Sequence, residues 1–185
     1  METVGVLGKP LAASQPPIED AAAVDLAALY DAYAGPLFRY LLTMLGEPED
    51  TADALQDVFL GILRRPRGRR IENLQAYLFR AARNQALMIL RSRKHRRQEM
   101  PDGAFSWVDV QACEPHLREL AIDLQRAVCQ LPLAQREVIV LRLGEGLTFQ
   151  KIASILSIRP NTAASRYRLA LARLRALLGG GDEHA

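Results

Sequence analysis

The sequence predicts an all-α protein made of two small helical domains joined by a flexible acidic linker, the second domain containing a helix-turn-helix. Apolar residues recur at intervals of three and four along most of the chain, which is the spacing of one helix face. Aromatic residues make up only 6% of the 185 residues, and Ala, Leu and Arg dominate, which favours helices over strands. Segments rich in Pro and Gly divide this pattern into two bodies.

The first body covers residues 23–97, after a proline-containing leader, residues 1–22, that shows no sustained period and that we expect to be mobile. Its first helix runs from about residue 24 to 45, with a possible kink at Gly35-Pro36. A second helix begins near Pro48, because proline suits the first helical turn. An arginine-rich loop, residues 64–73, precedes a third helix that runs from about Leu74 past Leu90.

The second body covers residues 124–178, between a linker at residues 98–123 and a tail at residues 179–185. We expect four helical pieces, at residues 124–131, 132–143, 149–156 and 160–178. Thr148 is a good N-cap for the third piece, and Pro160 fits the first turn of the last one. The two short helices around Ser157, the second rich in small polar and basic residues, predict a helix-turn-helix.

Charge is strongly partitioned along the chain, although the net charge is only +3. Residues 1–63 hold ten acidic and two basic residues (−8), whereas residues 64–97 hold twelve basic residues and one acidic (+11). The linker has six acidic residues and one basic (−5), and residues 124–178 have nine basic and two acidic (+7). Two basic bodies separated by an acidic strip indicate two contacts with a polyanion. We also expect the linker to hold the two bodies together and to weaken binding of the polyanion by the free protein.

Several classes of protein find no support in the sequence. Cys113 and Cys129 form no disulfide framework, and Cys113-x-x-His116 lacks the second pair of a zinc site. No nucleophile–base arrangement or phosphate-binding loop is visible. No apolar run approaches the ~20 residues that span a membrane. We therefore expect a cytoplasmic protein without enzymatic activity, cofactor, metal ion or membrane insertion.

The last predicted helix has a polar side suited to the major groove of DNA. Small residues near its start let the backbone approach base edges, as in helix-turn-helix proteins that read sequence. Its opposite side, with Ala163, Tyr167, Ala170 and Leu174, is expected to pack inward. The predicted DNA-binding residues of this helix are Asn161, Thr162, Ser165, Arg166 and Arg168.

Two runs give a resemblance to a known family. LPLAQREVIVLR at residues 131–142, followed by GLTFQKIA at 146–153 and NTAASR at 161–166, resembles the fourth conserved region of extracytoplasmic-function sigma factors. Residues 26–97 resemble the second conserved region of the same group, through DALQDVFL at 53–60 and YLFRAARN at 77–84. Both regions in this order, in a chain of this length, are highly specific for such a factor.

The resemblance implies a factor that binds core RNA polymerase, through the clamp and flap regions of its large subunits, and promoter DNA. The helix containing Asp53, Gln56 and Asp57 would dock on the clamp, and the last domain would recognise the minus-thirty-five element. An anti-sigma factor is a possible further partner. The third helix would meet the minus-ten element, with predicted DNA-binding residues Arg80, Arg83, Asn84 and Arg91.

The chain departs from the family pattern at several positions, which leaves its promoter sequence open. Lys151 stands where the family usually has a capping Glu, so Thr148 is expected to cap without the reciprocal bond. Two other classes of protein would explain part of the sequence. A one-component regulator would explain residues 124–178 but not the arginine-rich segment 64–97, and an anti-sigma or scaffold protein would not explain two basic blocks.

Overall fold

The computed structural model describes residues 25–64, 71–95 and 115–179, and these form an all-helical structure, as the sequence predicted. The leader, residues 65–70 of the arginine-rich loop, residues 96–114 and the tail after Gly179 lie outside the described residues. The elements are α1 (Leu26–Leu45), α2 (Pro48–Leu63), α3 (Leu74–His95), α4 (Pro115–Cys129), α5 (Leu133–Ile139), a π-helical turn (Val140–Gly144), α6 (Phe149–Leu156) and α7 (Pro160–Gly179).

Helices α1–α3, the first half of the structure, pack against one another. The Asp25 carboxylate caps α1 by accepting from the backbone N–H groups of residues 27 and 28, and the helix continues through Pro36 without a break. Gly46 ends α1 with φ of 75°, a left-handed conformation that glycine adopts without steric cost. Pro48 then starts α2, with Glu49 and Asp50 at the positive end of the helix dipole.

Helices α4–α7, the second half, begin earlier than the sequence predicted. The predicted linker boundary at residue 123 is wrong in the structure, because α4 already starts at Pro115. Leu117, Ala121, Leu124 and Val128 face inward with helical spacing, while acidic residues of the same segment point to solvent. The acidic segment from Pro115 is therefore the start of an amphipathic helix and not part of a flexible linker.

The helix-turn-helix is formed by α6 and α7, with the boundaries predicted from the sequence. The Thr148 hydroxyl accepts from the Lys151 N–H at 3.3 Å and caps α6, and Ser157 turns the chain with φ of 56°. The predicted helix 132–143 differs from the structure in its last turn, which is a π-helical turn from Val140.

The two halves share one hydrophobic core. Tyr40, Leu41 and Phe79 of the first half belong to the same buried cluster as Val138 and Ile152 of the second. Helix α3 packs against α6, and α1 packs against α5. A smaller cluster joins Leu42 of α1 to residues of α4, α5 and α7. The sequence predicted that the acidic linker holds the two bodies together, and in the structure the halves also pack directly on one another.

Candidate polymerase and nucleic-acid interfaces

The predicted polymerase-binding residues lie together on α2. Asp53, Gln56 and Asp57 are all exposed, because their spacing of three and four residues places them on one side of the helix. Leu55 and Val58 face the opposite way and are buried in the core. The helix therefore presents a polar, acidic stripe to solvent on a well-anchored support.

An apolar groove of 390 Å³ adjoins this stripe between α1 and α2. Tyr30, Leu60 and Leu63 line it and are 51%, 40% and 59% exposed, respectively. Gln56 also lines the groove, so the polar stripe and the groove form one continuous surface. Sequence reasoning missed this groove, although the three-residue spacing of Leu60 and Leu63 was a signal for it.

Of the four residues of α3 predicted to bind DNA, two are exposed and two contact the second half of the chain. Asn84 and Arg91 are exposed. Arg80 is exposed as well, but its Nη2 donates to the backbone carbonyl of Ser154 at 2.6 Å and to the Ser154 Oγ at 3.0 Å. Arg83 is the most covered of the four. Two of the predicted residues thus contact the second half of the chain.

Glu137 is the buried acceptor that holds Arg83. The Glu137 Oε1 lies 2.6 Å from the Arg83 Nε, and the two side chains are 2% and 22% exposed. The same oxygen accepts a hydrogen bond of 3.1 Å from the Tyr40 hydroxyl. Burial of Arg83 lowers its pKa, but the hydrogen bond and charge of Glu137 outweigh that effect, so the pKa is raised. The guanidinium is therefore held by one carboxylate from the other half.

Tyr40 completes this buried group. Its pKa is raised well above the ordinary value, first by burial and then by the negative charge of Glu137. Its ring packs edge-on against Phe79, with centroids 5.5 Å apart. Tyr40 therefore acts as a neutral hydrogen-bond donor that joins α1, α3 and α5.

A second ion pair joins α1 to the end of the π-helical turn. The Arg39 Nη2 lies 3.2 Å from the Glu145 Oε1, and the side chains are 31% and 1% exposed. Burial raises the pKa of Glu145, and the nearby Arg39 guanidinium only partly offsets this. Arg136 makes a further contact, donating from Nη1 to the Thr43 carbonyl at 3.1 Å, and burial lowers its pKa.

One arginine of the basic block 64–97 has a structural role. Arg93 is buried and donates to the Leu45 carbonyl at 2.6 Å and to the Asp50 carboxylate through Nε at 3.0 Å. It fastens the end of α3 to the junction between α1 and α2. Arg93, one of the twelve basic residues of this block, therefore has its charge paired with Asp50.

The polar side of α7 faces outward. Asn161, Thr162, Ser165 and Arg168 are exposed, and Arg166 is partly buried. On the other side, the inward-facing Ala163, Ala170 and Leu174 are buried, and the Tyr167 ring packs against Phe149 with centroids 5.6 Å apart. The Arg168 Nη2 lies 3.3 Å from the Ser165 Oγ. The helix-turn-helix therefore supports an exposed polar face where the sequence predicted DNA contacts.

The sequence predicted that Cys113 and His116 form no metal site, and neither side chain is among those that the structure describes. Within residues 25–64, 71–95 and 115–179, no group of three His, Cys, Asp or Glu side chains is arranged to hold a metal ion. None of the described helices is both long and apolar enough to cross a membrane.

Both halves match known sequence families. Residues 29–96 match Sigma-70 region 2, and residues 121–174 match Sigma-70, region 4. The chain is 30% identical over 178 residues to the ECF RNA polymerase sigma factor SigL of Mycobacterium tuberculosis, covering 87% of this chain and 94% of that protein. It is 31% identical to the ECF factor SigX of Bacillus subtilis, covering 69% and 70% of the two chains. The chain belongs to the ECF family of RNA polymerase sigma factors.

Other matches differ in coverage or identity. The chain spans 57% of the length of SigE of Mycolicibacterium smegmatis, an ECF factor to which it is 26% identical. The sigma factor RpoE of Bartonella quintana, solved in complex with the anti-sigma factor NepR, superposes with a TM-score of 0.64 at 25% identity, covering 85% of this chain and 98% of that one. CnrH, solved with the cytosolic domain of CnrY, has a TM-score of 0.61 at 21% identity, covering 88% and 94% of the two chains, and shows a similar fold.

Proposed function

We propose that the protein is an alternative sigma factor that binds core RNA polymerase and directs it to promoters for transcription initiation. The observation that carries this function is the presence of sigma region 2 and sigma region 4, in that order, on the two halves of the structure. A one-component regulator would need a sensor domain in the first half, where region 2 lies instead. The factor works in the cytoplasm, where polymerase and the chromosome are.

The three candidate surfaces, on α2, α3 and α7, would each bind a different partner or promoter element. The stripe of Asp53, Gln56 and Asp57 on α2 binds the polymerase clamp, and the second half binds the flap region. The exposed polar side of α7 reads the minus-thirty-five element in the major groove. The Arg80, Arg83, Asn84 and Arg91 side of α3 binds the minus-ten element, where arginines position the phosphate backbone and Asn84 reaches bases or sugar.

The protein acts by binding alone, and polymerase supplies the chemistry. Holding polymerase, duplex and separated strands in one arrangement requires complementary surfaces rather than a catalytic group. Phosphate contacts by Lys and Arg make such binding strongly dependent on salt. An anti-sigma factor is a further proposed partner, because the similar sigma factor RpoE of Bartonella quintana was solved in complex with the anti-sigma factor NepR.

Retention on core polymerase tests this function. The double variant Asp53→Lys/Asp57→Lys reverses the charge of the exposed α2 stripe, so we expect it to lose most of the retention seen with the wild-type chain. Glu119→Lys/Asp123→Lys on α4 is a matched control, with the same spacing, exposure and charge change. Circular dichroism should be unchanged in both. If the wild-type chain is not retained, the proposed function is wrong, and equal retention of both variants removes the α2 stripe from it.

A further inference from the structure

The outward side of α7 carries a large apolar side chain among its polar residues. Leu169 is 57% exposed and lies on the same side of the helix as Thr162 and Ser165, which precede it by seven and four residues. We propose that Leu169 reads a thymine in the minus-thirty-five element by contacting the C5-methyl group of that base in the major groove. This inference rests on the proposed function, since it requires that the outward side of α7 faces DNA.

The neighbours of Leu169 on its own helix leave its side chain uncovered. A helical side chain is flanked by those three and four residues away, and here Ser165 and Ala172 are both small and exposed. Arg173, four residues further on, is long enough to cover Leu169, but its Nη1 donates to the Gln135 Oε1 of α5 at 3.0 Å. Leu169 therefore projects from a surface of small side chains, which lets a base pair approach it closely.

The inward side of the same turns fixes the direction in which Leu169 points. Ala170 and Leu174 are buried in the smaller hydrophobic cluster of the second half. The Tyr167 ring packs against Phe149 of α6, with centroids 5.6 Å apart. A side chain that reads a base must be held in place by the structure behind it. The core of the second half provides that support for Leu169.

The chemistry of the major groove limits what an apolar side chain can recognise there. Base edges present hydrogen-bond donors and acceptors, and thymine adds a C5-methyl group. A leucine placed over donors and acceptors would remove them from water without replacing the lost hydrogen bonds, which is unfavourable. Placed over a thymine methyl, it buries apolar surface on both partners. Single exposed leucines are common on protein surfaces, so the position of Leu169 among the predicted reading residues carries the inference.

The positions along α7 also give the order of the contacts on DNA. Thr162 lies in the first turn of the helix, whereas Leu169 lies in the third. The Arg168 Nη2 lies 3.3 Å from the Ser165 Oγ, so this guanidinium is directed back towards the start of the helix. The polar contacts therefore come from the first part of α7 and the apolar contact from beyond them. We expect the thymine at an edge of the element, away from the base that Thr162 reads.

Three variants separate a contact with the methyl group from other roles of this position. Leu169→Ala removes most of the apolar side chain, and Leu169→Met keeps an apolar side chain of similar volume. Leu177→Ala is the matched control, because Leu177 is 42% exposed and lies about 12 Å further along α7. Neither leucine is part of the buried core, so all three variants should keep the circular dichroism of the wild type and its retention on core polymerase.

The experiment uses core polymerase that carries the full-length chain or one of its variants. Selection from duplexes with a randomised upstream element should enrich a thymine at an edge position for the wild type, Leu169→Met and Leu177→Ala. Leu169→Ala should lose the preference at that position alone. The selected duplex is then made with deoxyuridine in place of this thymine, which removes only the methyl group. We expect the wild-type holoenzyme to bind it about fourfold more weakly, as for the loss of one buried methyl group, and Leu169→Ala to bind both duplexes equally.

Failure of this inference differs from failure of the proposed function. If the wild-type holoenzyme enriches no upstream sequence, the proposed reading role of α7 is wrong and the inference fails with it. If Leu169→Ala leaves the enriched sequence unchanged, or changes it at a base other than thymine, only the inference is overturned. Equal binding of thymine and deoxyuridine by the wild type has the same meaning. Equal weakening of all promoters by Leu169→Ala also overturns it, because that result assigns Leu169 to a contact with polymerase or the DNA backbone.

Discussion

The two helices proposed to contact DNA present their polar side chains in opposite ways. On α3, Arg80 and Arg83 are bound to Ser154 and Glu137 of the second half. On α7, four of the five predicted reading residues are exposed, and Arg166 is partly buried. The polar side of α3 is therefore an internal contact, whereas the polar side of α7 is exposed to solvent. DNA can reach the α7 side directly, but it must compete with Ser154 and Glu137 for Arg80 and Arg83 of α3.

Removal of the Glu137 carboxylate, which holds Arg83 of α3 in its internal contact, should have the largest effect, on the free energy of unfolding. Glu137→Ala removes the acceptor shared by Tyr40 and Arg83 and leaves two donors without it, so we expect the free energy of unfolding to fall by about 2–4 kcal/mol. Urea unfolding followed by circular dichroism measures this as a lower midpoint. Glu119→Ala, at an exposed site on α4, should change stability by less than about 0.5 kcal/mol. Equal midpoints for the two variants would contradict the role given to Glu137.

Substitution on the outward face should change recognition and leave stability intact. Arg168→Ala is expected to cost ~1–3 kcal/mol at the base it contacts and to relax the preference there. Selection of promoters from a randomised upstream element, with polymerase carrying each variant, measures this effect. Arg175→Ala, exposed further along α7, is the control and should keep the wild-type preference. An unchanged preference with Arg168→Ala would limit Arg168 to a phosphate contact.

The smallest effect is expected on the titration of Glu145. Arg39→Met removes the neighbouring positive charge while keeping much of the side chain's volume, so the pKa of Glu145, already raised by burial, should rise further. The folded state therefore binds the Glu145 proton more tightly than the unfolded state does, and the ionised carboxylate destabilises the folded state relative to the protonated form. Stability from this group therefore falls as pH rises through that pKa. Carbon-detected NMR of the glutamate carboxyl measures the shift, and a lower pKa in the variant would be inconsistent with this ion pair.

Local signals in the sequence predicted much of the fold. Pro48, Thr148 and Pro160 marked helix starts that the structure reproduces, because capping and proline geometry depend on neighbouring residues alone. The spacing of Asp53, Gln56 and Asp57 likewise predicted a shared exposed face on α2. The segment from Pro115 to residue 123 was predicted to be linker because it is acidic, although its apolar residues have helical spacing.

Contacts between distant residues could not be predicted in this way. Nothing near Glu137 in the sequence indicates that its carboxylate binds Tyr40 and Arg83, since such pairing depends on how the halves dock. For the same reason the sequence does not reveal that Arg93, one of the basic residues of block 64–97, is buried against Asp50. The charge pattern predicted that the acidic linker holds the halves together, and the structure adds a direct contact between them.

The order of synthesis gives the Tyr40–Glu137 hydrogen bond a further consequence. Glu137 follows Tyr40 by 97 residues, so the first half is synthesised before the residue that covers Arg83. Domains of a growing chain generally fold as they emerge, N-terminal part first. During translation, therefore, α3 has a period in which Arg80 and Arg83 are without their partners. We predict that ribosome-stalled chains in which residues 1–114 are followed by an unrelated spacer long enough to fill the exit tunnel bind single-stranded DNA more tightly than released full-length protein, and equal binding would contradict this.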